Sequence, residues 1–567
     1  MVKKIFLFLM ISSVAFAATD EVSDTIKNIP GIYVKDQTGH IHTVDMRGFD
    51  APNVLVLING RRTNATDLSS VDWGQITTDR IEKIHVVKGP ASVFYGDNST
   101  GGAINIITKK GNARNNETRL SVFAGSHDYY TQSLFTSGTL YALNYRNKNE
   151  KGFRDNGEAK VQNYSIYVGD DNMNLEAGNY DASYGLPGAI TREQMDIFGR
   201  DYTRLPNDSV KLDDHYVRLS NEWLSYSYRN REFAYSTDGF LSSSDSDYHQ
   251  INMNRAITLD NHILTIGGLF QYNPTDIQTS FMDKSRIKKT DLGAFFQDTL
   301  LMDRWEISYG FRHDRAYYDF GQKRKHEIKN IHTGGIAYHF IPPDFSPEAD
   351  TSKVYYSWGQ GFRNPTTDEF FSFFEGLNEG VKSQASQIHE VGYMFDRKDI
   401  RIETIYFFIT TEDEIYYDAF DFKNKNLPDT TRQGIEVAAE KKFGNMRLFG
   451  YYTFMDTDSG GGSIPQVPDH KFTIGSEYDL GKVDMFAQIS YTGKRSLIND
   501  FSDSTKQKPY KTVDIGIKTD ILGMNIVLGI DNLLDEKYED IGILVNGTEY
   551  YYPNVDRTFY TKISKKF

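Results

Sequence analysis

The 567-residue chain contains no cysteine, only 15 prolines and four tryptophans, and no long apolar run. The absence of cysteine excludes a disulfide scaffold, a thiolate nucleophile, and zinc or iron–sulfur sites with cysteine ligands. No stretch approaches ~18 consecutive apolar residues, so no transmembrane helix is predicted. This does not exclude a membrane protein, because a barrel strand crosses a bilayer with only ~9–11 residues of alternating hydrophobicity.

The composition points instead to β structure. The chain has 37 tyrosines, 37 phenylalanines and 46 glycines but few aliphatic residues, a balance that favours strands over helices or disorder. Its 63 basic residues stand against 77 acidic ones, giving a net charge of −14. An acidic balance argues against nucleic acid as a partner, because phosphate binding needs basic patches. The length predicts several domains or one very large architecture.

The first residues have the organisation of a secretory signal peptide. Lys3 and Lys4 form a basic region, residues 5–14 an apolar region, and Ala15-Phe16-Ala17 a cleavage site with small residues. The apolar region is too short to cross a bilayer as a helix, which needs ~20 residues. Residues 1–17 are therefore predicted to direct export and to be removed; a buried N-terminal strand or helix is the alternative.

From about Glu117 to the last residue, apolar and polar residues alternate in short segments. In residues 305–312, WEISYGFR, aromatic and aliphatic side chains occupy every second position, and residues 264–272 and 483–491 follow the same rule. An apolar–polar alternation that repeats every two residues indicates β-strands. Aromatic residues near strand ends are typical of the interfacial girdles of membrane barrels. The terminal Phe567 resembles the assembly signal of outer-membrane barrels. A soluble β-sandwich or propeller is the alternative.

The N-terminal hundred residues differ, with short strands separated by glycine and a run of specific motifs. These motifs are IPGIYV at 29–34, MRGF at 46–49, VLINGR at 56–61, RIEKIHVVKGPASVFYG at 80–96 and GGAINIITK at 101–109. In this order they resemble the plug-domain motifs of TonB-dependent outer-membrane receptors.

Motifs in the remainder resemble the barrel of the same family. They are GFRNPT at 361–366, EVGY at 390–393, TRQGIE at 431–436, DNLLDEKY at 531–538 and RTFY at 557–560. The resemblance implies an α/β plug domain, residues 18–115, in the lumen of an all-β transmembrane barrel, residues 116–567. The length of the second part accommodates about 22 antiparallel strands, as in plugged transporters.

The resemblance also implies a function. We expect a receptor in the outer membrane of a Gram-negative bacterium that binds and imports a scarce iron chelate, a siderophore in the first instance, energised through the TonB complex of the inner membrane. A monomer in contact with outer-membrane lipid is expected, with no cofactor, no bound metal and no catalysis. A cobalamin or haem receptor, or a non-energised pore or adhesin, are the alternatives. Enzyme motifs such as G-x-S-x-G, H-E-x-x-H and the Walker loop are absent.

Four charged residues are predicted to lock the plug to the barrel wall. By the resemblance, Arg47 and Lys88 of the plug face Glu390 and Glu436 of the barrel. Lysine at position 88 replaces the commoner arginine and loses its bidentate geometry. Ordinary charges at strand ends are the alternative.

Ligand contacts are expected from plug apices and outer loops, where exposed aromatic patches often bind. The loop 362–374 contains the aromatic run FFSFF, for which anchoring at the membrane edge is the alternative use. The candidate residues are His40, His42, Arg61, Arg62, Tyr95, Asn98, Arg363, Phe371 and Phe373.

One departure from the family concerns coupling. The family places a TonB box and an initial plug segment before the Pro-Gly motif, whereas here only residues 18–29 separate the cleavage site from Pro30. The tripeptide Asp24-Thr25-Ile26 weakly resembles a TonB box. Partner strands pair with such a box through main-chain hydrogen bonds. We therefore expect weak TonB coupling, or none, for the chain as written.

Overall fold

A computed structural model describes residues 9–11, 20–37, 41–65, 71–111, 116–170, 172–280, 282–342, 350–372, 376–418 and 421–567. Two of the ligand-contact candidates, His40 and Phe373, lie outside these residues. In the part of the chain so described, no helix is both long enough and apolar enough to span a membrane.

The N-terminal part forms a small domain around a five-stranded mixed sheet with a separate two-stranded hairpin. Its elements are β1 Leu9–Ile11, α1 Val22–Ile26, β2 Ile32–Asp36, β3 His42–Met46, β4 Val54–Ile58, β5 Arg61–Arg62, β6 Ile81–Lys88, α2 Ser92–Tyr95 and β7 Gly102–Thr108. The sheet order is β1-β6-β7-β4-β5, in which only β4 and β7 are parallel. Strands β2 and β3 form the hairpin. Strand β1 lies within the predicted signal peptide and pairs with the edge of β6.

The core of this domain follows from its apolar strands. All five residues of β4, VLVLI, are buried, as expected of a central strand paired in parallel and covered on both faces. Helix α1 packs Val22 and Ile26 into the same core, which also contains Trp73. The tripeptide Asp24-Thr25-Ile26 is therefore helical and folded into the plug, not extended.

The remainder of the chain forms long antiparallel strands joined by short connections. In chain order the elements are β8 Glu117–Gly125, β9 Tyr129–Ser137, β10 Tyr141–Glu150, β11 Ala159–Gly169, β12 Asn174–Gly185, α3 Arg192–Phe198, β13 Ser209–Ser220, β14 Leu224–Thr237, β15 Phe240–Leu259, β16 His262–Thr279, β17 Met282–Met302, β18 Trp305–Asp319, β19 Arg324–His339, β20 Thr351–Arg363, β21 Phe371–Ser372, β22 Gly376–Leu377, β23 Gln384–Arg397, β24 Ile400–Glu412, β25 Ile415–Asp418, β26 Lys423–Asn426, β27 Thr430–Phe443, β28 Met446–Asp458, β29 His470–Asp479, β30 Val483–Thr492, β31 Tyr510–Ile521, β32 Met524–Asp531, β33 Glu539–Val545, β34 Thr548–Pro553 and β35 Thr558–Lys566.

Twenty-two of these strands close into a barrel, because β35 pairs with β8. The pairs β21–β22, β25–β26 and β33–β34 are hairpins in the connections. This confirms the predicted fold, an all-β barrel of 22 antiparallel strands with an N-terminal plug domain. Closure leaves no unpaired edge, which is the condition for a sheet to stand in a bilayer.

The predicted alternation is also confirmed. On β18, Trp305, Ile307 and Tyr309 are 37–48% exposed on the outer wall, whereas Arg312 on the inward face is 1% exposed. Strands with one apolar and one polar face are what a barrel filled by a polar domain requires, since lipid meets one face and the plug the other.

The two rims of the barrel differ. The barrel begins at Glu117, the first residue of β8, and the turns at that rim are mostly short. The opposite rim has the long connections, among them residues 186–208 with α3 and residues 532–557 with β33 and β34. We call these the short-turn rim and the long-loop rim.

Candidate functional site

Charged residues from plug and barrel meet at mid-height in the lumen. Arg47, at the end of β3, donates from Nε to Glu436 Oε1 at 2.8 Å and from Nη2 to Glu436 Oε2 at 3.2 Å, and its Nη1 pairs with Glu390. Lys88, at the end of β6, pairs with the same Glu436 and donates to the carbonyl oxygen of Pro30 at 3.2 Å. All four side chains are 5% exposed or less. The structure thus brings together the four residues predicted to form the plug–barrel lock.

Neighbouring groups complete this cluster. The Arg47 guanidinium lies 4.4 Å from the centroid of the Phe407 ring, and Ser357 Oγ donates to Glu390 Oε2 at 2.9 Å. Burial disfavours the charged form of Arg47, but Glu436 and Glu390 outweigh it and raise the pKa of the guanidinium above its ordinary value. Arg47 of the plug is therefore stabilised in its charged form by two carboxylates of the barrel wall.

Two plug glycines make this approach possible. Gly31 has a φ of +81°, and a Cβ built there would lie 2.1 Å from Glu436 Oε1. Gly89 has a φ of +87°, and its Cβ would lie 2.6 Å from Glu390 Oε1. Any side chain at either position would strain the backbone and collide with a buried carboxylate. Sequence reasoning missed this role, although both glycines stand inside the motifs that identified the plug.

Further buried ion pairs fix the plug around the circumference of the wall. They are Asp20 with Arg146 at 2.5 Å, Glu21 with Lys148 at 2.7 Å, Arg80 with Glu176 at 2.6 Å, Asp97 with Lys289 at 2.8 Å and Asp79 with Lys562 at 3.2 Å. The sequence contained only a weak signal for them, namely charged residues at inward-facing strand positions. Buried charges need such partners, so the plug is held at several heights and sides.

Two of the ligand-contact candidates are engaged inside the protein. The His42 ring nitrogen Nδ1 lies 3.1 Å from Glu21 Oε2 and 2.9 Å from Ser23 Oγ. Arg61 is 4% exposed and its guanidinium lies 3.8 Å from the centroid of the Tyr216 ring. Neither side chain is at an open apex in this structure, because each is used in the packing between plug elements or against the wall.

The next candidates surround Asp97, just after α2. Arg62 donates to the carbonyl oxygen of Asp97 at 3.0 Å and to that of Tyr95. Asn98 has a φ of +66° and donates from Nδ2 to the carbonyl oxygen of Pro52 at 2.9 Å. Burial raises the pKa of the Tyr95 hydroxyl to about 12. Arg62, Tyr95 and Asn98 are thus brought together as a folded loop.

Two candidates lie at the last residue of β20 and in the connection that follows it, and neither is fully exposed. Arg363 is 1% exposed and donates to both carboxylate oxygens of Glu369, at 3.0 and 2.9 Å. Phe371 is half-buried. The expectation of a wholly exposed aromatic run is wrong for Phe370, which is 0% exposed because it packs against Tyr318 and Phe320 beneath the loop.

A cavity of about 870 Å³ runs along one side of the plug, between it and the wall. Its plug side includes Arg62, Lys88 and Tyr95, and its wall side includes Glu390 and Arg312. The lining continues to the β13–β14 turn, residues 221–223, at the short-turn rim. The cavity therefore connects the charged cluster with that rim.

A closed barrel with a charged, plug-filled lumen defines the class of plugged outer-membrane transporters. Residues 15–103 match the TonB-dependent Receptor Plug Domain, and residues 144–533 match the family described as TonB dependent receptor-like, beta-barrel. The chain belongs to the TonB-dependent receptor family. It is an outer-membrane receptor and transporter, not an enzyme, as the sequence motifs predicted.

Individual relatives are distant, and the share of each chain that is similar varies. The vitamin B12 transporter BtuB of Vibrio cholerae is 22% identical over 96% of this chain and 89% of its own. The ferrienterobactin receptor of Escherichia coli is 25% identical over 41% of this chain and 33% of its own. The ferric yersiniabactin uptake receptor FyuA from Yersinia pestis superimposes with a TM-score of 0.79 at 15% identity, covering 99% and 97% of the two chains.

Proposed function

We propose that this receptor imports an anionic iron chelate, a siderophore, and that the cargo passes along the cavity beside the plug. The observation that carries the proposal is the charge of that cavity. Its cations Lys88 and Arg312 are neutralised by Glu436 and Asp314. Arg62 and Arg218 also line it, and neither forms an ion pair with any residue that the structure describes.

The uncompensated wall charge is therefore mainly positive. Of the three carboxylates in the lining, Glu390 and Glu306 have basic partners in Arg47 and Lys353. The third, Glu222, stands against the arginines Arg62, Arg218 and Arg255. Burial lowers the pKa of the Arg62 guanidinium and outweighs the opposing effect of the nearby Asp97 carboxylate. A cleft lined by charge of one sign concentrates ligands of the opposite sign, so this cavity favours an anion over a neutral or cationic cargo.

The size of the cavity supports a cargo of moderate mass. Ligand sites of ~300–1,000 Å³ hold small organic molecules, and the observed volume of about 870 Å³ falls in that range. Similarity to receptors for ferrienterobactin and ferric yersiniabactin supports an iron chelate. Cobalamin is the second candidate, because a vitamin B12 transporter is similar over nearly the entire chain.

We also propose that the cluster of Arg47, Lys88, Glu390 and Glu436 is the lock that energy from TonB must break. The cluster borders the cavity, so moving β3 or the end of β6 would widen the path towards the short-turn rim. Separating buried, mutually satisfied charges is costly, which keeps the path closed at rest.

The test is growth and uptake in a strain that lacks its own receptors and expresses this chain. We expect growth on at least one ferric siderophore, dependent on TonB, when a family-type TonB box with a short linker is placed ahead of Thr19, because Asp24-Thr25-Ile26 is helical and folded into the plug. The Arg62→Gln/Arg218→Gln variant should take up that chelate about tenfold more slowly, by loss of electrostatic attraction. Arg304→Gln, at a half-buried position on the short-turn rim outside the cavity, is the matched control and should not slow uptake.

Each alternative has a distinct outcome. Growth only on cobalamin or only on haem would replace the siderophore with that cargo. Steady, large conductance of the intact protein in lipid bilayers would instead support a non-energised pore. Unchanged uptake in the double arginine variant would show that the arginines of the cavity do not attract the cargo.

A further inference from the structure

A second cleft lies on the outer wall of the barrel, away from the plug. It has a volume of about 390 Å³ and is formed by strands β16 to β19. Most of its lining residues belong to two neighbouring cross-strand rows: Tyr272–Thr290–Tyr317–His326 and, one step nearer the long-loop rim, Lys288–Asp319–Arg324. Tyr318 and Lys325 complete the lining. Directly opposite residues on neighbouring strands point to the same face, so each row presents its side chains together.

This face is the outer one. Tyr317 is 41% exposed, whereas its neighbours Ala316 and Tyr318 are 2% and 1% exposed and face the lumen. Below the cleft, Phe270 and Leu292 continue the apolar outer surface at 37% and 43% exposure. A molecule seated in the cleft would therefore have an apolar wall beneath it and polar groups around it.

The cleft stands at the level of lipid headgroups. Trp305 marks the short-turn side of the apolar wall, where its ring packs 5.0 Å from that of Tyr338. With a rise of ~3.3 Å per residue and a tilt of ~40°, Tyr317 lies about 30 Å above Trp305 along the barrel axis. The apolar band of such barrels is ~25 Å tall, so Tyr317 reaches the interface of the outer leaflet and Lys288 and Arg324 stand just beyond it.

The basic groups of the cleft outnumber its one carboxylate, that of Asp319. Lys284 and Arg286, which precede Lys288 on the same strand β17, are paired with Asp276 at 2.9 and 2.6 Å. In contrast, neither Lys288 nor Arg324 forms an ion pair with any residue in the described part of the chain. Asp319, between them, accepts a hydrogen bond from the backbone nitrogen of Gly321 at 2.9 Å. The cleft retains a positive excess, with the Tyr272, Tyr317 and His326 side chains as further polar groups.

The adjoining sector of the wall has the opposite charge. Asp181, Asp213, Glu232 and Asp245 are direct cross-strand neighbours on β12 to β15, and they share the outer face. Anionic headgroups are repelled by such a row and are attracted to the basic cleft beside it. The outer wall therefore offers anions a local site instead of a uniform belt.

We propose that this cleft binds the phosphate-bearing headgroup of an outer-leaflet lipid, with an acyl chain lying along Phe270 and Leu292. Lys288 and Arg324 supply charge-assisted hydrogen bonds to the phosphate, the form in which cations recognise such groups most strongly. Tyr272 and Tyr317 lie at the junction of head and chain, where amphipathic aromatic rings are most stable. A lipid is the occupant because the cleft opens sideways into the membrane plane.

The test uses the full-length protein reconstituted in phosphatidylcholine vesicles that contain bisphosphorylated lipid A. After detergent extraction, native mass spectrometry counts the lipid A molecules retained per protein. A basic residue near an anionic lipid contributes about fivefold in affinity, so Lys288→Gln/Arg324→Gln should reduce retention affinity about thirtyfold. Lys211→Gln, an exposed lysine within the acidic sector, is the matched control and should retain lipid A as the unmodified protein does.

Three results would overturn the proposal. These are equal retention by the double variant, equal retention of lipid A stripped of its phosphates, and displacement of lipid A by inorganic phosphate. The last result would assign the cleft to a free anion. Heat-modifiable migration on gels establishes that each variant has folded, so that reduced retention reports the cleft itself.

Discussion

Removal of the Glu436 carboxylate should loosen the plug without unfolding the barrel. Glu436 serves two cations at once, since both Arg47 and Lys88 pair with it and all three side chains are 5% exposed or less. In Glu436→Ala, Lys88 loses its ion-pair partner among the described residues, and Arg47 keeps only Glu390. Leaving a buried charge without its partner costs 3–5 kcal/mol in proteins.

We expect the lower end of that range, about 3 kcal/mol, because Lys88 still donates to the Pro30 carbonyl oxygen. That free energy raises the population of a displaced plug about a hundredfold. The barrel itself should persist, because its closed ladder of backbone hydrogen bonds does not involve the Glu436 side chain. Single-protein conductance in planar bilayers should therefore show brief openings far more often in Glu436→Ala than in the unmodified protein.

Two variants make the measurement specific. Glu477→Ala breaks a wall–wall ion pair with Arg447 at 3.0 Å and should leave the openings unchanged. Adding Lys88→Met to Glu436→Ala removes one of the stranded cations and should reverse part of the effect, since residues in one network are not additive. If Glu436→Ala shows no more openings than Glu477→Ala, the cluster is not the element that holds the plug.

Two further predictions concern the plug. Gly31→Ala and Gly89→Ala should each destabilise plug docking by more than about 1 kcal/mol, because each adds a Cβ at positive φ that meets a buried carboxylate. Urea-dependent hydrogen exchange of the plug amides measures this loss. Exchange equal to that of the unmodified protein would contradict the prediction. Burial favours neutral His42, but the hydrogen bond to Glu21 and nearby carboxylates raise the pKa of its ring from 6.5 to about 9. Because the pKa is higher in the folded state, this stabilisation is complete below about pH 6.5 and is lost as pH rises through about 9. The urea midpoint of plug unfolding should therefore fall as pH rises from about 6.5 to about 9, and the fall should be smaller in His42→Gln. An identical pH profile in both proteins would refute this role of His42.

The barrel strands and the plug can both be recognised from local sequence patterns, because each pattern has a local physical cause. The alternation in residues 305–312 is imposed by lipid on one side and plug on the other, so it is legible without a structure. The plug motifs are equally legible, because Gly31 and Gly89 occupy conformations and spaces that other residues do not fit. The fold class could therefore be predicted from the sequence. The meeting of Arg47, Lys88, Glu390 and Glu436 was implied only by the resemblance of their motifs to those of the family.

Whether a ligand-contact candidate is exposed could not be predicted from local sequence patterns. Arg61, His42 and Arg363 looked like exposed binding groups, yet the structure buries each against a partner far along the chain or in a folded loop. Burial of a charged group depends on which side chain stands opposite it in the folded protein. Local sequence patterns do not specify that partner, whether it lies on a distant barrel strand, as Tyr216 does for Arg61, or on another plug segment, as Glu21 does for His42.

The cleft on the outer wall was decided by tertiary structure alone. Lys288 and Arg324 belong to separate strands, and only the register of β17, β18 and β19 places them on either side of Asp319. A register shift of one residue would turn these side chains towards the lumen, and the alternation in any single strand does not specify its alignment with the next. The sequence by itself determined which faces are apolar and which motifs form the plug. Strand register and barrel closure determined which charges meet, because those contacts exist only after distant strands have aligned.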